Sequence, residues 1–159
     1  MKAVIQRVVD ASVSVDGIIR GKIENGLLVY LGVAHNDSEA DADWLAEKTA
    51  HLRIFNDADG RMNLSLKDLS DNGVFNAGMF NTGVLCISQF TLLADARKGR
   101  RPSWNAAAAP EKAKELYLYF INAVKKQGLL CESGEFQAHM KVTYTNDGPV
   151  TIILDTEDK

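Results

Sequence analysis

Met140-Lys141-Val142-Thr143-Tyr144-Thr145-Asn146-Asp147-Gly148-Pro149-Val150-Thr151-Ile152-Ile153-Leu154 holds two apolar, β-branched runs, 140–145 and 150–154, with a polar break between them. The runs read as strands. The break is unusual because it contains Gly148-Pro149. Proline cannot donate to a sheet ladder, so it belongs at an edge, a bulge or a turn. The residue before it is pushed out of the helical region, and glycine there reaches backbone angles closed to other residues. An ordinary hairpin is served by Asn-Gly or Asp-Gly alone. Pro149 therefore stiffens the tip and fixes the direction of its carbonyls. Two readings stand: a tight turn between strands, or a rigid backbone claw that meets a ligand without side chains.

Working outward, the amino-terminal third is strand-rich, with runs at 3–9, 12–15, 18–23 and 27–33. Asp16-Gly17 and Asn25-Gly26 read as hairpin turns between them. Ser38 followed by Glu39 and Asp41 predicts a helix start, and the period of Ala42, Leu45, Ala46, Thr49 and Leu52 carries it to about residue 52. Residues 53–56 read as a short strand and 57–60 as a turn. Residues 64–83 are irregular and are expected to be a surface insertion. Val84-Leu85-Cys86-Ile87 is a buried strand leading into Ser88-Gln89-Phe90-Thr91-Leu92 and a basic loop. Pro110 suits a first helical position, and Gly128 closes the helix that ends at Gln127. Short strands at 130–132, 140–145 and 150–154 complete an α+β domain with two main helices.

At 159 residues the chain reads as one domain, 1–159. A hydrophobic fraction of 46% and a charged fraction of 25% permit a core. The net charge of −3 argues against a wide grip on duplex nucleic acid. It leaves room for local contact, because Arg97, Lys98, Arg100 and Arg101 cluster within the basic loop. Cys86 and Cys131 suggest neither a disulfide framework nor zinc. With no leader pattern and no run near the roughly 20 apolar residues of a membrane span, a soluble cytoplasmic protein is expected. His35, His51 and His139 show no metal spacing, so neither metal nor cofactor is expected.

Ser88-Gln89-Phe90-Thr91-Leu92 and Asn146-Asp147-Gly148-Pro149-Val150-Thr151 together make the chain resemble the D-aminoacyl-tRNA deacylases, whose two signature motifs they match. Supporting matches run along the chain: Ala3-Val4-Ile5-Gln6-Arg7-Val8, Ala11-Ser12-Val13-Ser14-Val15, Gly26-Leu27-Leu28-Val29, Leu52-Arg53-Ile54-Phe55, Arg61-Met62-Asn63 and 97–103. The resemblance implies two packed, mainly antiparallel sheets forming a partly open barrel. It also implies a homodimer in which a cis Gly148-Pro149 reaches into the partner's pocket. The implied reaction hydrolyses the ester of D-aminoacyl-tRNA, and of mischarged glycyl-tRNA, while rejecting L-amino acids. The implied partner is the tRNA acceptor end.

The residues themselves leave alternatives. Thr91 is placed like a nucleophile but has no visible activating base, so a shaping or positioning role is favoured over a covalent one for this β-branched strand residue. Amides at Ser88, Gln89 and Phe90, freed where a strand ends, are candidates to stabilise an oxyanion. The resemblance adds the terminal adenosine's own 2′-hydroxyl to that chemistry. Arg7 is either an exposed strand arginine or, as the resemblance implies, the brace of the Gly-Pro loop. Met140 is either core or pocket lining. Phe136 lies in the same family-like stretch, where His139 replaces the usual acidic residue. Lys98, Arg100 and Arg101 are either solvated or bound to phosphates. Two rivals remain: a module that binds nucleic-acid ends without turnover, and a small-molecule esterase using Thr91.

Overall fold

The protein is described from a computed structural model, which covers residues 1–71 and 81–159. Eight strands and three helices follow in the order β1 (Lys2–Val15), β2 (Ile18–Ile23), β3 (Gly26–Gly32), α1 (Glu39–His51), β4 (Phe55–Asn56), β5 (Met62–Leu64), α2 (Leu66–Asp71), β6 (Gly83–Ser88), α3 (Pro110–Lys126), β7 (Leu130–Ser133) and β8 (Lys141–Asp155). A short 3-10 turn, Phe90–Leu93, follows β6. Six strands make one sheet in the order β2-β1-β3-β6-β7, with β8 on the other side of β1, and β4-β5 form a two-stranded ribbon. The path curls round on itself. Its ends meet where Gly21 of β2 faces β7: a Cβ there would lie 2.7 Å from the Ser133 carbonyl. This is the partly open, mainly antiparallel barrel expected of the α+β domain. The second sheet is small.

Several local readings change. The runs at 3–9 and 12–15 are one strand, β1, bent by a bulge at Val9 where the register to β8 shifts between Val8 and Asp10. Asp16-Gly17 is the expected hairpin turn, with φ of 50° and 78°. Asn25-Gly26 is not one, because β2 and β3 both lie against β1 and do not pair with each other. Gly26 instead faces Gly83 of β6, and a Cβ on Gly26 would overlap the Gly83 carbonyl. Gly83 is required by its other neighbour, since a Cβ on it would lie 2.4 Å from the Leu130 carbonyl at the start of β7. Within 64–83, residues Leu66–Asp71 are helical, and 72–80 lie outside the described residues. Ser65 sets that short helix by bonding Asp68 through both its amide and its hydroxyl.

The two central parallel strands, β3 and β6, are apolar on both faces, as buried parallel strands must be. Leu27, Val29, Leu31, Val84 and Cys86 pack with α1 and α3 residues such as Leu45, Leu116, Phe120 and Val124. Leu28, Leu85 and Ile87 fill the barrel with Val8, Ala11, Val13 and Ile23. Helix α1 starts at Ser38, whose amide and hydroxyl both donate to Asp41 Oδ2, at 2.8 and 2.7 Å. Helix α3 starts at Pro110 and ends before Gly128, whose φ is +81°.

Within α3, Phe120 is fully buried while Leu118 is 46% exposed. Phe120→Ala is expected to cost about 3–5 kcal/mol in denaturant unfolding. Leu118→Ala should cost less than about 1 kcal/mol. Equal costs would contradict this packing.

Candidate active site

The end of β6 makes the site. A cleft of about 590 Å³ opens there, lined by Ser88, Gln89 and Phe90 on one side. Ala107, Ala108, Tyr117, Phe136, His139 and Met140 form other walls. Strand β6 reaches this point with its partner β7 already ended: their last pair is Cys86 with Ser133, so Ser88 lies beyond the ladder on that side. On the other side the Gln89 amide still donates to Leu31 O at 2.8 Å. The chain then tightens into the 3-10 turn. Its first two amides, Phe90 and Thr91, have no backbone acceptor among the described residues. Of the amides expected to be freed, that of Gln89 is taken by the β3 ladder, while those of Phe90 and Thr91 have no backbone acceptor among the described residues.

Thr91 does not line the cleft. Its exposed hydroxyl accepts from the Gln89 side-chain amide. Among the described residues no histidine or carboxylate is bonded to it, so none of them is a base to make it a nucleophile. The cysteines offer no alternative. Burial pushes the Cys86 thiol well up and the Cys131 thiol up to about 12. Tyr117, on the cleft wall, donates its hydroxyl to Cys86 O at 2.9 Å, and burial raises its pKa. Met140 serves both readings, packing against the barrel interior and lining the cleft. Among the described residues no histidine, cysteine and carboxylate group has the arrangement of a metal site.

The Gly-Pro segment is built quite differently from a hairpin tip. Both flanking runs belong to β8 and pair with β1, Gln6 opposite Thr151 and Val8 opposite Asn146. Between those pairs β1 supplies only Arg7, while β8 supplies Asp147, Gly148, Pro149 and Val150. The surplus must leave the sheet as a large bulge. The Gly148-Pro149 bond is cis and Gly148 has φ of +118°. Asn146 closes the base, its side-chain amide donating to Arg7 O at 2.9 Å and to Val150 O at 3.0 Å.

Arg7 is buried, at 8% exposure, which removes the surface-arginine reading. Its Nη1 donates to Ile54 O at 2.6 Å. Its Nε lies 2.8 Å from Asp147 Oδ2, an ion-pair contact whose N–H is not aimed along that line. One guanidinium thus ties the bulge to the loop after α1. Asn146 and Asp147 lie in the quoted motif, and their roles as clasp and counter-ion are visible only in the structure. The signal was present in a charged residue on a core strand, which demands partners. Arg7, Gly148 and Pro149 are not among the residues lining the cleft of their own chain.

The basic loop is closed by paired backbone bonds between Asp95 and Ser103, at 2.8 and 3.0 Å. Arg97 is spent within it: the guanidinium bonds Asp95 at 2.8 and 2.7 Å and holds that carboxyl well below its usual range. Lys98, Arg100 and Arg101 are exposed and have no ion pair among the described residues.

Residues 4–155 match the family model described as D-Tyr-tRNA(Tyr) deacylase. The chain belongs to the D-Tyr-tRNA(Tyr) deacylase family. It is 54% identical over 157 residues to a D-aminoacyl-tRNA deacylase of Koribacter versatilis, covering 99% of this chain and 98% of that one. It is 53% identical over 157 residues to the D-aminoacyl-tRNA deacylase of Thermosipho africanus, with the same coverage. Among solved structures it matches one titled c-Myc DNA Unwinding Element Binding Protein, with a TM-score of 0.85, 35% identity and 98% of each chain covered. Members of the D-Tyr-tRNA(Tyr) deacylase family are hydrolases, and this chain is an enzyme acting on the ester bond of D-aminoacyl-tRNA. No helix among the described residues is long and apolar enough to cross a membrane.

Thr91→Ala is expected to keep kcat within about tenfold of wild type, whereas loss of a covalent nucleophile costs about 10⁶. Single-turnover deacylation of D-tyrosyl-tRNA measures this. A collapse of the second size in a folded variant would restore Thr91 as the nucleophile.

Proposed function

We propose that the cleft at the end of β6 receives the 3′-terminal aminoacyl ester, and that the Gly148-Pro149 bulge of a second copy closes it. One observation carries this reading. The bulge is rigidly braced by Arg7 and Asn146, as a recognition element would be, yet it lies away from the cleft of its own chain. A homodimer in which each bulge serves the other cleft reconciles the two.

Within that arrangement water attacks the ester carbonyl, and the tetrahedral oxyanion is met by the amide of Phe90, with Ser88 beside it. The terminal 2′-hydroxyl of the substrate takes part in the proton movements, as the family likeness implies. Collapse of the intermediate releases the amino acid and returns a proton to the 3′-oxygen. An ester has a good leaving group, so preorganised amides, each worth about 10²–10³ in rate, can carry much of the acceleration.

Chirality is set by exclusion. A fixed carbonyl of the bulge accepts from the substrate's α-amino group, and an L side chain would then run into the bulge backbone. Main-chain recognition does not read side-chain identity, so several D-amino acids are accepted. Glycine has no side chain to exclude, so glycyl-tRNA is cleaved as well, and the enzyme acts in translation quality control in the cytoplasm. Lys98, Arg100 and Arg101 hold acceptor-end phosphates, supplying position without sequence reading. Phe136 and Met140 shape the space for the aminoacyl group, and His139 stands at its edge.

Gly148→Ala tests the bulge. A Cβ there would sit 2.8 Å from Val150 Cγ2 and 3.0 Å from Arg7 Nη2, at a φ that L side chains rarely adopt. Cleavage of D-tyrosyl-tRNA is expected to fall about 10- to 100-fold, with a narrower preference over L-tyrosyl-tRNA. Arg7→Ala should act in the same direction. Wild-type stereoselectivity in both variants, with folding intact, would remove the bulge from chiral selection.

For the basic loop, Arg100→Ala combined with Arg101→Ala should weaken tRNA binding. The slope of log affinity against log salt should shrink by up to about 1–2. An identical slope would show that these side chains are merely solvated.

A further inference from the structure

The rim of the cleft carries an apolar feature that the ester chemistry leaves unused. Phe90 is 58% exposed and Trp104 is 38% exposed. Their rings meet edge to face with centroids 5.6 Å apart and planes at 65°. Two large aromatic rings held together in water, at the mouth of a cleft, are a surface awaiting a flat partner.

Their position is set by the same backbone that builds the site. Phe90 opens the 3-10 turn and lines the cleft. Trp104 directly follows Ser103, which closes the basic loop by its bonds to Asp95. Its carbonyl accepts from Ala107 at 3.0 Å, and Ala107 is itself a cleft wall. In the chain, Trp104 thus directly follows the closed loop that carries Lys98, Arg100 and Arg101, and its ring meets Phe90 of the cleft lining. A phosphate-binding loop next to an aromatic platform is the combination that single-stranded nucleic acid requires. A basic loop alone would hold phosphates, and an aromatic pair alone would hold any apolar surface. Together they select an unpaired nucleotide.

We infer that the Trp104–Phe90 pair is a stacking platform for an unpaired base immediately 5′ of the esterified nucleoside. This deepens the reading of the cleft as the ester site and rests on it. With the terminal ribose at the cleft floor, the preceding nucleotide leaves over the rim. Trp104 then tells an ester on a single-stranded RNA end from an ester on a lone nucleoside. Because stacking uses the face of a base, the platform is tolerant of base identity.

The test compares two substrates of wild-type enzyme, Trp104→Ala and Trp104→Phe: the D-tyrosyl ester of the trinucleotide CCA, and that of adenosine alone. In Trp104→Ala the ratio of KM for the trinucleotide ester to KM for the adenosine ester is expected to rise about tenfold, with kcat for the trinucleotide ester little changed. Trp104→Phe, which keeps a ring, should restore most of the ratio. A structural role would raise both KM values together and leave the ratio at its wild-type value, and that result overturns the platform. Wild-type hydrolysis of neither ester would instead overturn the cleft reading, and the platform with it. Fluorescence gives an independent measure, since the chain has 2 tryptophans and the other, Trp44, is partly buried against the helical core. Unesterified CCA should quench wild-type emission and leave Trp104→Phe unquenched; equal quenching in the two also overturns the inference.

Discussion

Everything distinctive about this chain depends on a mismatch between two paired strands. Strands β1 and β8 run antiparallel along almost their whole lengths, and beside the single-residue bulge at Val9 the ladder is interrupted by four residues facing one. Pairing on both sides of the interruption fixes its ends. The surplus backbone cannot be absorbed into a pleat, so it projects. Asn146 bonds both ends of the projection, and Arg7 supplies its brace from the opposite strand. A hairpin tip would have been anchored at one end of a sheet and free to swing. A bulge held within a long ladder has far less freedom, and that rigidity is what a backbone-only recognition element needs.

The cleft at the end of β6 follows from a different constraint. Strands β3 and β6 are parallel and buried on both faces, so their polar backbone groups are satisfied only while neighbouring strands continue. Strand β7 ends first, and β6 then turns into a 3-10 segment whose leading amides are left open. Donors positioned in this way cost nothing to organise during the reaction, because the fold has already oriented them. Thr91 lies outside the cleft lining, and its hydroxyl accepts from Gln89 with no base bonded to it among the described residues.

Charge is distributed to match. The net charge of −3 belongs to the whole surface, whereas the loop after the site concentrates cations, of which Arg97 is consumed in holding the loop's shape. The remaining three are free to meet an anion. The loop's closing bonds also place Trp104 beside Phe90, so the geometry of the loop and the character of the rim are one feature.

The sequence by itself determined most element types, though not the short helix Leu66–Asp71, together with the basic loop, the strand end that leads into Ser88 and the family. These are local properties: apolar periodicity, Pro110 and Gly128 at helix ends, and short motifs whose residue types need no partner to be read. It misjudged those features whose meaning depends on what lies opposite. Asn25-Gly26 looks like a hairpin turn until β1 is found between the strands it joins, and the close glycine contact to Gly83 is then the reason for the residue. The Gly-Pro segment reads as a turn between two strands until both prove to pair with β1. Arg7 reads as exposed until Asp147 and Ile54 O close over it. Trp104 carries no signal at all until Phe90 is beside it. Register, burial and the meeting of distant side chains are relations between segments far apart in the chain, and only the folded barrel decides them.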